Sequence, residues 1–246
     1  MNIHVAETRA ELGRIAARDI GEALRQGLRR KDHLRVILAA APSQSEMLAA
    51  LRHEPGIDWH RVTAFHMDEY IGLPEHAPQR FAIWLKAEFI DHLPSLRFEP
   101  IDPKTDPEAA CEHYAALLAQ APIDLVLLGI GTNGHLAFND PPAKLEDPLS
   151  VKVATLDPMC REQQVLDGCF RALDDVPKRA ITLTIPTLLG GHELFCCVPG
   201  RHKSAAVQAA LESPISGDCP ATALRTHPKC TVYLDKESSS MRQSHE

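Results

Sequence analysis

The stretch IDLVLLGIGTNGHLAFNDPP, residues 123–142, decides how the rest of the chain is read. Ile123 and the run Leu125 to Leu128 are apolar on both pleat faces, between Pro122 and Gly129. A short run of that kind is a strand covered on both sides, as in a parallel sheet. Gly129, Gly131 and Gly134 then free the backbone to turn, and Thr132, Asn133, His135, Asn139 and Asp140 follow in a cluster. Ligands of open α/β sheets sit at the carboxyl ends of strands, so this polar burst is the leading site candidate. The glycines also fit a dinucleotide fingerprint, but three features disagree with it. The motif lies mid-chain, Pro141-Pro142 close off the helix that should open behind it, and no second strand after Asp147 presents an acid to a ribose.

The chain has 246 residues, 44% hydrophobic and 24% charged, with formal net charge −7. That is the profile of a globular protein with one substantial core, and a single domain over 1–246 is expected. An acidic balance without a basic stripe excludes nucleic acid as a partner class. Arg29-Arg30-Lys31 fall at the end of a predicted helix, where cations complement the carbonyl end of the dipole. The N-terminal residues lack an apolar signal core, and no run approaches the roughly 18 apolar residues of a membrane span. A cytoplasmic protein with no membrane association is expected. None of the seven cysteines shows C-x-x-C spacing. They read as buried reduced thiols, with no metal ligand set.

From the N-terminus, Thr8-Arg9-Ala10-Glu11 is a capping box, and Leu12, Ile15, Ile20, Leu24 and Leu28 continue with helical period. Leu34 to Ala40 is a strand. Ala41-Pro42 breaks it, and Ser43-Gln44-Ser45-Glu46 begins the next helix, either as a plain N-cap or as a phosphate cradle. Arg61 to His66 is a second buried strand, ending in Met67-Asp68-Glu69-Tyr70. Those two carboxylates are either solvated turn residues or hold a general base. Phe81, Trp84, Leu85, Phe89 and Leu93 mark an amphipathic helix with core aromatics. Asp106-Pro107 starts another, with its cap and first-turn proline in place. Glu146 to Val176 is the least regular part and reads as a lid near the site. Strands follow at Ala180 to Thr184, Glu193 to Val198 and Cys230 to Leu234, and Ser238 to Glu246 reads as a frayed tail. Lys203, opening the helix Ser204 to Leu211, is either solvated or holds a phosphate. Strands alternating with helices give a doubly wound α/β fold, a mostly parallel sheet with helices on both faces. The polar bursts all follow strands and so converge on one edge.

FHMDEYIGL at 65–73 and GIGTNGHLAFNDP at 129–141, together with the lysine of VPGRHK, resemble the glucosamine-6-phosphate deaminase family. The resemblance runs from the strand at Leu34 to the strand at Cys230. It implies conversion of glucosamine 6-phosphate and water to fructose 6-phosphate and ammonia, in amino-sugar catabolism, with no cofactor. By motif position it implies that Asp68 shuttles the proton between C2 and C1, and that His135 opens the sugar ring. Asn133 and Asp140 then support His135. Ser43, Gln44, Ser45, Glu69, Gly131, Arg161 and Lys203 are carried over as substrate-binding residues.

Two departures stand out. Many family members have Asp where this chain has Asn133, and Glu where it has Asp140. Asn133 can orient His135 by hydrogen bonding but holds no charge, so Asp140 is the one carboxylate left to support an imidazolium. The phosphate loop keeps its hydroxyls without the family's glycines, and the lid arginine has no clear counterpart in D-G-C-F at 167–170, with Arg161 or Gln164 as substitutes. The short stretch after the last strand suggests an unregulated form, a monomer or small homo-oligomer. A 6-phosphogluconolactonase, sharing the fold, and a sugar-phosphate-binding protein with vestigial catalysis are the alternatives.

Overall fold

Seven of the apolar or half-apolar runs pair side by side, and the order in which they do so creates the crevice. The computed structural model describes residues 1–103 and 106–241. Along the chain lie β1 (Asn2–Ala6), α1 (Arg9–Arg30), β2 (Leu34–Leu38), α2 (Ser45–Leu51), β3 (Val62–His66), β4 (Asp68–Tyr70), α3 (Phe81–Glu88), β5 (Arg97–Glu99), α4 (Pro107–Ala119) and β6 (Leu125–Leu128). Then follow β7 (Val151–Thr155), α5 (Pro158–Leu166), β8 (Arg179–Leu183), α6 (Ile185–Leu189), β9 (Glu193–Val198), α7 (Ser204–Glu212) and β10 (Cys230–Asp235).

The main sheet runs β1-β10-β9-β6-β2-β3-β5, and every neighbouring pair in it is parallel. From β2 the chain steps outward through β3 to β5, then returns to the other side of β2 at β6 and steps out the opposite way. The strand order therefore reverses between β2 and β6, and the loops behind those two strands diverge to leave a crevice. Alternation along the strands feeds two cores. Val36, Leu38, Leu125 and Leu127 pack with Leu12, Ile20 and Leu24 of α1 and Met47 and Leu48 of α2. Ile37, Val126 and Leu128 face the other way, onto Tyr114 and Leu118 of α4 and Val207 of α7. The expected doubly wound fold is thus present, with helices covering both faces.

Helix α1 starts as its capping box predicts. Thr8 Oγ1 accepts the Glu11 N–H at 3.2 Å, while the Glu11 carboxylate accepts from Glu7 N–H, one residue earlier than the ideal box. Gly13 allows α2 its close approach, since a Cβ there would lie 2.7 Å from the Glu46 backbone. Among the described residues no helix is long and apolar enough to cross a membrane.

Several elements differ from the sequence reading. Asp68 and Glu69 are not turn residues: with Tyr70 they form β4, which pairs antiparallel with β8, and β8 pairs antiparallel with β7. This small second sheet sits beside the parallel one. The segment 146–176 is more regular than expected, holding β7 and α5. Asp157 caps α5 by accepting the Met159 N–H at 2.8 Å, with Pro158 behind it, the same start signal as Asp106-Pro107. Strands β1 and β5 were not foreseen because both are edge strands with mostly exposed or half-exposed side chains, which leave no buried alternation to read. The helix predicted to reach Leu93 ends at Glu88 and tightens into a 3-10 turn at Ile90–His92. The tail is anchored at its start: Ser238 is buried, donates its N–H to Asp235 Oδ1 at 2.7 Å and accepts the Asp235 N–H at 3.1 Å. Residues 242–246 of that tail lie outside the described residues.

Pairing in β4 sends its two carboxylates to opposite faces. Glu69 turns inward and is fully buried. It accepts N–H groups from Tyr70 at 2.9 Å and from Phe81 and Ala82 at 3.0 Å each, and it pairs with Arg80 at 3.5 Å. Burial pushes its pKa up against the pull of those donors and of Arg80. Phe81 and Ala82 begin α3, so Glu69 supplies the anionic cap that Arg80, at the N-cap position, cannot. Glu69→Ala leaves the Arg80 guanidinium buried without its partner, a loss of about 3–5 kcal/mol. Thermal unfolding of that variant should fall by on the order of 10 °C. A variant that melts like the parent but shows a raised KM would make Glu69 a ligand-contacting residue instead.

Candidate active site

Six of the residues singled out from sequence line one cleft at the strand-order reversal: Ser43, Gln44, Asp68, Gly131, His135 and Lys203. Ser43 and Gln44 stand in a 3-10 turn after β2, and Gly131 and His135 in the loop after β6. Asp68 opens β4 and Lys203 ends the turn that precedes α7.

Asp68 is 7% exposed. Burial, and secondarily the neighbouring Glu69 charge, hold its carboxyl well above the usual carboxylate range. A carboxyl so placed holds a proton more readily than an exposed one, which suits a group that must both take and return one. His135 is held by a two-residue scaffold. Its Nδ1 lies 2.7 Å from Asn133 Oδ1 and 3.1 Å from Asp140 Oδ1, and its backbone N–H donates to Asn133 Oδ1 at 3.1 Å. The Asn133 amide donates to Asp140 Oδ1 at 3.0 Å, and Asp140 Oδ2 accepts the Asp157 N–H at 3.0 Å. With Nδ1 engaged, Nε2 is the ring atom left to serve a ligand. Burial would raise the Asp140 pKa, but the His135, Asn133 and Asp157 hydrogen bonds outweigh it and hold the carboxyl low. Asn133 thus orients and Asp140 carries the charge. Gly131 is obligatory here: a Cβ on it would meet the His135 ring at 2.2 Å.

The far end of the cleft is cationic. Lys203 is 3% exposed, and burial lowers its pKa to about 8 despite the Asp167 charge. Arg9, at the start of α1, joins it there, and beside them stands His202, an imidazole whose pKa burial and the Lys203 charge hold down. Arg9 Nε donates to Glu46 and a second guanidinium nitrogen donates to the Pro42 carbonyl, so α1 and the turn after β2 hold one another. Gln44 is fully buried, its Nε2 donating to Ser43 Oγ at 3.0 Å and to the Cys197 carbonyl at 3.1 Å. Its Oε1 has no hydrogen-bond partner.

Helix α5 roofs the cleft. Gln163, Gln164 and Asp167 line it, and Gln163 Oε1 accepts from Thr132 N–H at 3.0 Å and Thr132 Oγ1 at 2.9 Å, tying roof to loop. Phe170, after α5, meets Tyr70 edge-on at 5.5 Å, and Tyr70 packs on Phe81 and Phe138 at 4.7 and 5.5 Å. Phe81 and Phe138 in turn line the cleft floor.

Five sequence candidates do not line the cleft: Asn133 and Asp140 stand behind His135, and Glu69, Arg161 and Ser45 lie elsewhere. Glu69 is spent on the α3 cap, because strand alternation turns it away from Asp68. Arg161 points back along its own segment, donating to the carbonyls of Leu173 at 2.5 Å and Val176 at 2.9 Å. Of the two proposed substitutes for a lid arginine, only Gln164 faces the cleft. Ser45 is the first residue of α2 and stands past the turn that presents Ser43 and Gln44. Conversely Arg9, Gln163, Asp167 and His202 were not singled out. Arg9 sits inside a capping motif and Asp167 in an irregular stretch, so neither carries a local signal, whereas His202 is adjacent to Lys203 and follows a strand end.

A sequence model for the family described as glucosamine-6-phosphate isomerases/6-phosphogluconolactonase matches residues 7–233. The glucosamine-6-phosphate deaminase of Pseudarthrobacter chlorophenolicus is 34% identical, covering 93% of this chain and 88% of that protein. The Bacillus cereus glucosamine-6-phosphate deaminase is 31% identical, covering 98% and 89%. Among solved structures, a monomeric glucosamine-6-phosphate deaminase superposes with a TM-score of 0.90 at 30% identity, covering 98% of this chain and 100% of that one. The 6-phosphogluconolactonase of Trypanosoma brucei superposes with a TM-score of 0.79 at 19% identity, covering 97% of each chain, which speaks to the fold alone. On the match over residues 7–233 and these identities, the chain belongs to the glucosamine-6-phosphate isomerase/6-phosphogluconolactonase family.

Proposed function

We propose that the protein is a glucosamine-6-phosphate deaminase, turning glucosamine 6-phosphate and water into fructose 6-phosphate and ammonia. The observation that carries this reading is one cleft lined by a proton-exchanging carboxyl, Asp68, an oriented imidazole, His135, and a buried cation, Lys203. The phosphate binds at Lys203, with Ser43, Arg9 and His202 around it, which sets the sugar carbons towards Asp68. His135 Nε2 takes the proton from O1 of the closed ring and returns it to O5, opening the sugar. Asp68 then removes the C2 proton and delivers it to C1 through an enolamine. Water adds to the resulting C2 imine and ammonia leaves. The scaffold of Asn133 and Asp140 supports the imidazolium formed during ring opening. No step calls on a redox cofactor.

The identities of 34% and 31% to deaminases, against 19% to a lactonase of the same fold, favour deamination over lactone hydrolysis. All seven cysteines are free, which suits a reducing compartment, and we place the enzyme in the cytoplasm. We also infer that it works as a monomer, as the structurally similar deaminase does.

Asp68→Asn should lower ammonia release from glucosamine 6-phosphate by about a thousandfold. The same variant should still be stabilised against heat by the sugar phosphate. Undiminished turnover would remove Asp68 from the chemistry, and hydrolysis of 6-phosphogluconolactone without ammonia release would replace deamination by the lactonase reading.

Lys203 predicts a pH dependence. Its charge is lost as pH rises through about 8, below the ordinary lysine value, because burial disfavours the cation. Phosphate affinity, and with it kcat/KM, should therefore decline above about pH 8, chiefly through KM. In Lys203→Arg the charge persists, so the decline should move to higher pH even if absolute KM rises. Parallel pH profiles for parent and variant would detach Lys203 from the phosphate.

A further inference from the structure

One side chain beside His135 takes no part in the chemistry above. Cys160, on α5, is fully buried, and its Sγ, a ring nitrogen of His135 and a carboxylate oxygen of Asp140 all lie within 4.8 Å of one another. Hydrogen bonding among His135, Asn133 and Asp140 accounts for two of these groups and leaves the thiol unexplained.

We propose that His135, Asp140 and Cys160 form a site for a thiophilic divalent cation, zinc in the first instance, whose capture switches the enzyme off. Sulfur, imidazole nitrogen and carboxylate oxygen make a zinc donor set; magnesium and calcium want oxygen alone. Zinc bonds of about 2.0–2.3 Å put tetrahedral ligand atoms roughly 3.3–3.8 Å apart, so the three groups need to draw together by about 1 Å. Cys160 and Asp140 are already coupled, because the Asp157 N–H at the start of α5 holds Asp140 Oδ2.

Local charge favours a cation. Burial first, and then the charges of Asp140, Asp68 and Asp157, push the thiol's pKa well up against the opposing Lys203 cation, so it stands protonated until a metal displaces the proton. On binding, the Cys160 proton leaves to solvent and Zn–S, Zn–N and Zn–O bonds form. The imidazole binds through Nδ1, which first gives up the proton it donates to Asn133 and Asp140; the ring takes a proton from solvent at Nε2, so it stays neutral as the other tautomer. Three protein ligands leave the fourth position to water. His135 so held no longer accepts the O1 proton, which is why capture inhibits; that consequence rests on the role of His135 proposed above.

The test uses the full-length enzyme titrated with cobalt(II) as a spectroscopic stand-in for zinc. A near-ultraviolet thiolate-to-cobalt charge-transfer band should grow to one equivalent, vanish on adding zinc, and be missing in Cys160→Ser and Cys160→Ala. Zinc should inhibit ammonia release by the parent enzyme and chelation should restore it. Both Cys160 variants should keep basal turnover while needing at least about tenfold more zinc for the same inhibition. The band reads the site whether or not the chain deaminates anything. A protein that releases no ammonia yet shows a Cys160-dependent band supports the site and refutes the activity. No band, or a band and zinc sensitivity unchanged in both variants, overturns the site.

Discussion

The structure depends on the divergence of chain direction between β2 and β6. A parallel sheet gives every strand a loop at its carboxyl end, but most of those loops cross over neighbours and cover the edge. Only where the next connection runs the other way does the edge stay open. Ser43 and Gln44 arrive on one side of that opening and Gly131 and His135 on the other. Asp68 is added from the small antiparallel sheet, whose β4 follows β3 after a single residue. Lys203 comes from the end of β9, the neighbour of β6. These four chain segments are far apart in sequence, and the reversal, together with the pairing of β4 with β8, brings them to one place.

Burial is the second constraint, and the site works by resisting it unevenly. Asp68 is left to burial, so its proton becomes exchangeable. Asp140 receives three hydrogen-bonding or ionic contacts, from His135, Asn133 and Asp157 N–H, and stays charged. Lys203 is depressed but not neutralised at physiological pH. A uniform environment would give these groups similar behaviour. The differences come from donors placed a few ångströms away, on the loop after β6 and the start of α5. The two substitutions noted in the sequence become intelligible at that scale. An acid at position 133 would set two carboxylates about 3 Å apart beneath His135, where the present amide donates to Asp140 instead.

How far the sequence carried the reading follows from the same physics. Strands β2, β3, β6, β9 and β10 are covered on both faces, so their composition announces them. The polar residues behind them inherit a location, and that made Asp68, His135 and Lys203 legible. Edge strands β1 and β5 carry no comparable pattern. Helix α5 carries a start signal, Asp157-Pro158, set within a mixed composition that as a whole reads as irregular. The roof residues Gln163 and Asp167 and the cation Arg9 reach the cleft only through tertiary packing, and nothing local marks them. The adjacent acids Asp68 and Glu69 look equivalent in a sequence; only the pairing of β4 with β8 tells which one meets the cleft.

That pairing has a consequence for the history of the chain. The peptide between Phe65 and Phe81 spans one acid that is consumed in capping a helix and one that faces the cleft, on opposite sides of the pleat. Losing or gaining a single amino acid within Met67–Tyr70 would exchange their faces, putting the longer acid into the cleft and stripping α3 of its anion. Side chains elsewhere in this segment can drift, but its length cannot. Insertions and deletions among relatives should therefore gather on either side of this short strand and spare its interior.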